Sequence, residues 1–327
     1  MNILDVKGLS VRFDTLEGAY PALDNISFSI AEGKTTCIVG ESGCGKSVTA
    51  LSIMRLLAPN AQVSSGEVLF NGSDLLKKAP KEMLAIRGKD ISMIFQEPMT
   101  SLNPVYTVGW QLSEVYSNHA KMGRQQIRES AVTMLERVGI RDAQKMMGRY
   151  PHELSGGMRQ RVMIAMALAL NPKLLIADEP TTALDVTIQA QVLDLIKEIS
   201  EKFSTTVMLI THDMGVVADI ADYVIVMYLG RIVEQADAEA IFSSPRHPYT
   251  KGLLASIPPL NEDVDSLLTI PGHVPPAGAE FSGCSFSDRC PYAKDECLRS
   301  PPSLVQTEPG RMSACHFPIG LQGGEST

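Results

Sequence analysis

Near the start of the chain apolar and polar positions alternate, in Ile3-Leu4-Asp5-Val6, Leu9-Ser10-Val11-Arg12-Phe13 and Ile26-Ser27-Phe28-Ser29-Ile30. Period two, broken by Gly, Pro and Asp-Asn turn residues, predicts an antiparallel β layer. A short apolar run, Thr36-Cys37-Ile38-Val39, comes next, and beyond a glycine-rich stretch Val48, Leu51 and Met54 recur at helical spacing. Gly66 to Gly72 reads as a hairpin piece with Asn71-Gly72 as its turn, and Ile91 to Phe95 as a strand running into Gln96-Glu97-Pro98. From Thr107 to about Tyr150 the period becomes helical: Leu112, Val115, Ile127, Ala131, Met134, Leu135 and Val138 fall on amphipathic faces, and Gly139 closes one helix. Val162 to Leu170 is apolar nearly all round, as expected of a buried helix. Leu174 to Ala177 is a continuous apolar run ending in Asp178-Glu179, the pattern of a central parallel strand covered on both faces. Ile188, Val192, Leu195, Ile196 and Ile199 trace one helix face, and Thr206 to Ile210 form a further strand that delivers Thr211-His212-Asp213.

Composition narrows the function classes. A chain of 327 residues suggests two or three domains, and an apolar fraction of 44% is ordinary for a globular protein. The net charge of −8 disfavours nucleic acid and anionic membrane surfaces as partners. Met1 to Lys7 lacks the basic start and apolar stretch of a secretory signal, so a cytosolic product is expected. The densest apolar run, Val162 to Leu170, falls short of the roughly 20 residues a bilayer demands, so work at a membrane would require other chains.

The chemistry centres on Gly40-Glu41-Ser42-Gly43-Cys44-Gly45-Lys46-Ser47, which lies between a predicted strand and a predicted helix and matches the phosphate-loop spacing G-x-x-x-x-G-K-[ST]. Its glycines let backbone N–H groups turn inward, Lys46 reaches the β- and γ-phosphates, the Ser47 hydroxyl ligates Mg²⁺, and Val48 continues the helix. Leu154-Ser155-Gly156-Gly157 opens another helix, so Ser155 and the N–H groups after it make a second anion site. Two phosphate-like sites on one chain are a surplus for a single nucleotide. Asp178 suits a Mg²⁺ shell, Glu179 suits a base that polarises water, and Gln96 and His212 stand at strand ends facing a ligand edge. For stacking on a base, Phe13 and Tyr20 are the candidates.

In order, residues 40–47, Gln96, 154–157, 174–179, 182–185 and His212 resemble the Walker A, Q-loop, signature, Walker B, D-loop and H-loop of an ABC transporter ATPase subunit, over roughly residues 1–250. The resemblance implies that two such subunits close head to tail, so that Ser155, Gly156 and Gly157 serve the partner's ATP and Asp185 belongs to the D-loop. It further implies that Glu179 is the general base, that Ser47, Asp178 and Gln96 serve Mg²⁺ and water, and that His212 contacts the γ-phosphate. Phe13 fits the family spacing to Ala22-Leu23 better than Tyr20, although the segment from Asp14 to Pro21 is longer than the compact pattern.

The tail carries a narrower likeness. Pro245 to Thr250 and Leu253 to Pro258 resemble the carboxyl extension of oligopeptide and dipeptide importer ATPases, whose relatives carry nickel and other small solutes; Pro258 to Pro276 reads as a surface linker. Two of the six cysteines, Cys37 and Cys44, lie around the phosphate loop and read as small buried or loop residues. Cys284, Cys290, Cys297 and Cys315 crowd the tail with spacings C-x5-C, C-x6-C and C-x17-C, which by themselves favour neither zinc nor iron–sulfur. The resemblance implies a [4Fe-4S] cluster in preference to Zn²⁺.

Together these readings predict an α/β phosphate-loop NTPase core with a parallel central sheet, an antiparallel β layer, an all-helical insertion and a small cysteine-rich extension. The core takes residues 1–96 and 161–257, the insertion 97–160 and the extension 258–327. The expected partners are a second, homologous ATPase subunit, two transmembrane permeases and, through the complex, a solute-binding protein, at the cytoplasmic face of the membrane. An ABC-type DNA-repair ATPase would need a long coiled coil between phosphate loop and signature, and a translation-associated relative would carry two phosphate loops in one chain. Neither feature is present in the sequence.

Overall fold

The computed structural model describes residues 1–16, 18–96, 101–181, 186–257, 270–276, 278–279 and 281–320. Two compact units divide the chain. One contains Asn2–Ile30, Thr35–Leu76 and Ile210–Thr327, the other Met1, Ala31–Lys34 and Lys77–Leu209.

The first unit begins with β1 (Asn2–Thr15) and β2 (Gly18–Ala31), continues through β3 (Thr35–Val39) and helix α1 (Lys46–Met54), and adds β4 (Ala61–Phe70) and β5 (Ser73–Asp74). A four-stranded sheet in the order β2-β1-β4-β5 makes the expected antiparallel layer. Leu4, Val6, Leu9, Val11, Leu23, Ile26 and Ile30 are buried beneath it, with the alternation of each strand broken once, around Gly8 in β1 and Asn25 in β2. Where the sequence suggested short pieces separated by turns, the chain forms one long β1. Gly8 sits at φ +59 inside it, and the register against β4 shifts between Lys7 and Ser10. Its glycine therefore marks a bulge rather than an end. Asn71 and Gly72, at φ +48 and +75, make the predicted tight turn between β4 and β5.

The second unit holds α2 (Pro80–Ile86), β6 (Ile91–Ile94), α3 (Val108–His119), α4 (Arg124–Arg137), α5 (Ala143–Met146), α6 (Gly156–Leu168), β7 (Leu174–Asp178), α7 (Val186–Phe203) and β8 (Thr206–Thr211). β6 and β7 pair in parallel, Ile91 opposite Leu174 and Ile94 opposite Ala177, with β8 on the far side of β7. Every residue of β7 is buried, as its unbroken apolar run required. Thr107 caps α3 by accepting from the Trp110 N–H, and Gly139, at φ +75, turns the chain after α4. Leu112, Ile127, Ala131, Met134 and Leu135 are buried, so the helical pattern correctly marks the inner faces of α3 and α4.

Back in the first unit come α8 (Met214–Ile220), β9 (Tyr223–Tyr228), β10 (Arg231–Asp237), α9 (Ala238–Ser243), α10 (Pro248–Ala255), α11 (Asp295–Arg299), β11 (Val305–Glu308) and β12 (Arg311–Ser313). β3 lies parallel to β9, after which β10, β12 and β11 follow antiparallel. The last strands of the tail thus continue the sheet that carries the phosphate loop. They are tied to it by Glu234 on β10 and Arg311 on β12, 0% and 3% exposed at their side chains and 2.9 Å apart. Backbone N–H groups of Arg246 and His247 also donate to the Glu234 carboxylate. Most of the expected linker, at 258–269, lies outside the described residues.

Candidate nucleotide site

Residues 40–45 join β3 to α1, and the glycine spelling follows from space as well as conformation. A Cβ on Gly40 (φ +153) would stand 2.2 Å from the Met227 carbonyl oxygen and 2.7 Å from Cys44 Sγ. One on Gly45 (φ +102) would stand 2.7 Å from Leu23 and 2.9 Å from the Ala22 carbonyl oxygen. Lys46 is buried at 5% exposure, and its Nζ donates to the carbonyl oxygens of Gly40 (2.7 Å) and Glu41 (3.0 Å). The loop therefore holds its own lysine in place. Ser42 and Gly43 are exposed at the rim, and Ser47 and Val48 are half-buried. Cys44 is buried beneath the loop, with its thiol pushed up by burial, and Cys37 is fully buried in β3 and pushed up to about 12. Phe13 and Tyr20, rival candidates for base stacking, pack on each other with centroids 5.7 Å apart and planes 12° from parallel.

In the second unit the parallel register sets the carboxylate pair. Because Ile94 lies opposite Ala177, the residues just past each strand end meet, and Gln96 Nε2 donates to Glu179 Oε2 at 3.0 Å. Asp178, at the end of β7, is 5% exposed; Glu179 follows at φ +45, a left-handed conformation that costs a side-chain-bearing residue energy. Ser155 caps α6 by accepting from the Met158 N–H at 3.3 Å, and the helix start at Ser155 and Gly156 is exposed. Buried Gln160, in the turn after the signature, donates to the Pro180 carbonyl and ties α6 to the end of β7. Sequence pattern alone did not single it out. His212 lies just past β8 and is exposed. Asp185 and the rest of 182–185, with Glu97 and Pro98, lie outside the described residues.

In the tail, Cys284, Cys290, Cys297 and Cys315 line one small cavity together with His247 and His316. All four thiols are free. Burial pushes Cys315 up to about 12 and raises Cys284 and Cys290, and the neighbouring thiols add to each shift. Among the described residues, no group of three or more His, Cys, Asp or Glu side chains is drawn close enough to hold a single ion. His247, which the sequence left without a role, is fully enclosed, held neutral by burial at about 3, and caps α10 by accepting from the Tyr249 N–H. Two further residues given no role by the sequence reach the phosphate loop: Tyr249, from the Pro245 to Thr250 stretch, and Arg289 both bond to Glu41.

A glycine-rich loop of phosphate-loop spelling, a strand-end carboxylate held by a glutamine and a second capped helix start follow the plan of an ATP-binding cassette. Comparison with known proteins agrees. Residues 23–182 match the ABC transporter family model, and residues 233–297 match the oligopeptide/dipeptide transporter C-terminal region. The oligopeptide transport ATP-binding protein AppD of Bacillus subtilis is 50% identical over 99% of both chains. The dipeptide transport ATP-binding protein DppD of Escherichia coli is 48% identical, again over 99% of both. A solved dimer of the bacterial ABC transporter cassette MJ0796 superposes with a TM-score of 0.65 at 28% identity, covering 72% of this chain and 98% of its own. The chain belongs to the ABC transporter ATPases, within their oligopeptide/dipeptide transport ATP-binding group.

Proposed function

We propose that this chain is the ATP-hydrolysing subunit of a peptide importer, peripheral at the cytoplasmic face of the membrane, and that its ATP is sandwiched between one subunit's phosphate loop and the partner's Ser155-Gly156-Gly157. The observation that carries the reading is a loop of phosphate-loop spelling with its lysine held in place, together with a second, exposed and capped helix start at Ser155. One nucleotide uses only one of them on a given chain, so the other serves a partner subunit. Lys46 and the N–H groups of residues 40–48 hold the phosphates, Ser47, Asp178 and Gln96 the Mg²⁺ shell, and His212 the γ-phosphate. Glu179 is the base for the attacking water, and Asp185 belongs to the contact between subunits. The stacked pair of Phe13 and Tyr20 offers one aromatic face for adenine. Catalysis is then positioning and electrostatics around a loose phosphoryl transition state.

Residues 1–96 and 161–257 serve as the nucleotide-binding core, and 97–160 as the insertion that meets two transmembrane permeases fed by a solute-binding protein. Among the described residues no helix is long and apolar enough to cross a membrane. Dipeptides or oligopeptides are the preferred cargo, in keeping with the names of its relatives; nickel or another small solute is the alternative.

For the four tail cysteines, which line one shared cavity, the likeness to the importer ATPases favours a [4Fe-4S] cluster over Zn²⁺. Bound there, the cluster would supply a structural cross-link. The thiols of Cys284, Cys290, Cys297 and Cys315 would hold it. Anaerobic purification should give coloured protein with iron and sulfide; colourless, iron-free protein removes the cluster. The catalytic reading is tested with Glu179→Gln in the assembled complex, which should retain ATP and trap the closed dimer. Hydrolysis at the parental rate would remove Glu179 as base.

A further inference from the structure

Glu41 is an unassigned position of the phosphate-loop spelling, yet all its polar groups are engaged. Its carbonyl oxygen accepts from Lys46 Nζ at 3.0 Å. Its N–H donates to the Tyr249 hydroxyl at 2.9 Å. Its carboxylate takes a forked pair from Arg289, at 2.7 Å to one nitrogen and 3.0 Å to the other. Both outside partners come from the carboxyl-terminal part of the same unit: Tyr249 from α10, and Arg289 from the turn between Cys284 and Cys290.

These partners are themselves fixed. The Arg289 side chain is 5% exposed, its Nε donates to the Pro271 carbonyl at 2.9 Å, and its guanidinium lies 5.9 Å from the Tyr228 ring centroid. Tyr249 is fully buried and packs 4.7 Å from Tyr228 and 5.3 Å from Phe286. A forked arginine–carboxylate bond fixes orientation as well as distance. The peptide that orients Lys46 is thereby clamped at its N–H and at its side chain by residues some two hundred positions away. Without the clamp the Glu41 peptide is held only from within the loop, by the Cys44 N–H at 3.3 Å and Lys46 itself, and the carbonyl that aims Lys46 is less firmly placed.

We infer that Arg289 and Tyr249 are positioning residues for the phosphate loop, making the carboxyl extension a working part of the ATP site. This rests on the reading of residues 40–47 as the ATP phosphate site. Neither residue touches nucleotide; each acts through Glu41.

The test is equilibrium Mg-ATP binding to the purified full chain, with ATPase kinetics in the assembled complex. Arg289→Ala should weaken binding by about tenfold or more, within the usual range of coupling between sites. It should raise KM for ATP while kcat stays within about twofold, a split that general loss of folded protein does not produce. Arg289→Lys should recover part of the affinity, and Tyr249→Phe should show a smaller loss in the same direction. Glu41→Ala combined with Arg289→Ala should be no weaker than Arg289→Ala alone, because both remove one interaction. If Arg289→Ala does not fold, Tyr249→Phe decides. Parental affinity in the folded Arg289 and Tyr249 variants, with binding lost in Lys46→Ala, overturns the inference alone. Parental affinity in Lys46→Ala overturns the phosphate-loop reading beneath it.

Discussion

Glu179 is held at φ +45, on the left-handed side of backbone space, immediately after a fully buried strand. Replacing it with alanine or with glycine removes the same carboxylate and the same bond from Gln96. The two variants then differ by one Cβ. A residue with a Cβ costs about 1–2 kcal/mol in this conformation, and glycine costs nothing there. Glycine's greater freedom in the unfolded chain offsets about 0.4–1 kcal/mol of that. Glu179→Gly should therefore be more stable than Glu179→Ala by roughly 0.5–1 kcal/mol, the reverse of the usual order, or about 1–3 °C in the thermal midpoint. Both should lose about 10²- to 10⁴-fold in ATP turnover, the usual worth of a general base, with Mg-ATP affinity close to parental. Thermal unfolding of the pair beside single-turnover hydrolysis in the assembled complex measures both quantities. An alanine variant as stable as the glycine variant would refute the strain. Turnover within tenfold of parental in either would refute the base.

Gly40→Ala should abolish Mg-ATP binding and cost about 2–4 kcal/mol, because its Cβ meets a backbone carbonyl at 2.2 Å, whereas Gly43→Ala, with open space around it, should cost about 1 kcal/mol; equal effects would contradict the geometry. Arg311→Met leaves the enclosed Glu234 carboxylate without its counter-charge and should destabilise the first unit by about 3–5 kcal/mol in urea unfolding; a change below about 1 kcal/mol would show the pair to be dispensable. The Cys37 thiol, ordinarily near 9.0, is raised to about 12, so the folded state keeps a proton that the unfolded chain releases. Its contribution is complete below pH 9 and is lost between about 9 and 12, with a slope up to about 1.4 kcal/mol per pH unit. Cys37→Ala should flatten that slope, and an unchanged slope would show that the thiol does not titrate there.

Local pattern revealed what local forces decide. The phosphate loop was legible because only glycine fits beside Met227 and Leu23, and β7 because enclosure on both faces demands an unbroken apolar run. The length of β1 was not, since a bulge at Gly8 looks like a turn until its pairing with β4 is seen. Gln96 and Glu179 could each be suspected from a strand end, but their bond depends on the parallel register of Ile94 with Ala177. Choosing between Phe13 and Tyr20 assumed that the rings were separate, and they stack. His247 was overlooked because a histidine cap has no strong spacing signature, and Arg289 because its partner Glu41 is 248 positions away in the chain. Contacts of that range leave no periodic trace.

The hairpin of β11 and β12 also bears on how the chain can be shortened. It covers the side of β10 that would otherwise present unpaired N–H and C=O groups, a template for other strands to add onto. A chain ended at residue 257, where the ATPase motifs are complete, would expose that rim and strip Glu234 of Arg311 at the same time. Such a fragment should self-associate rather than behave as a smaller ATPase, so the tail is as much a guard against aggregation as a place for cysteines.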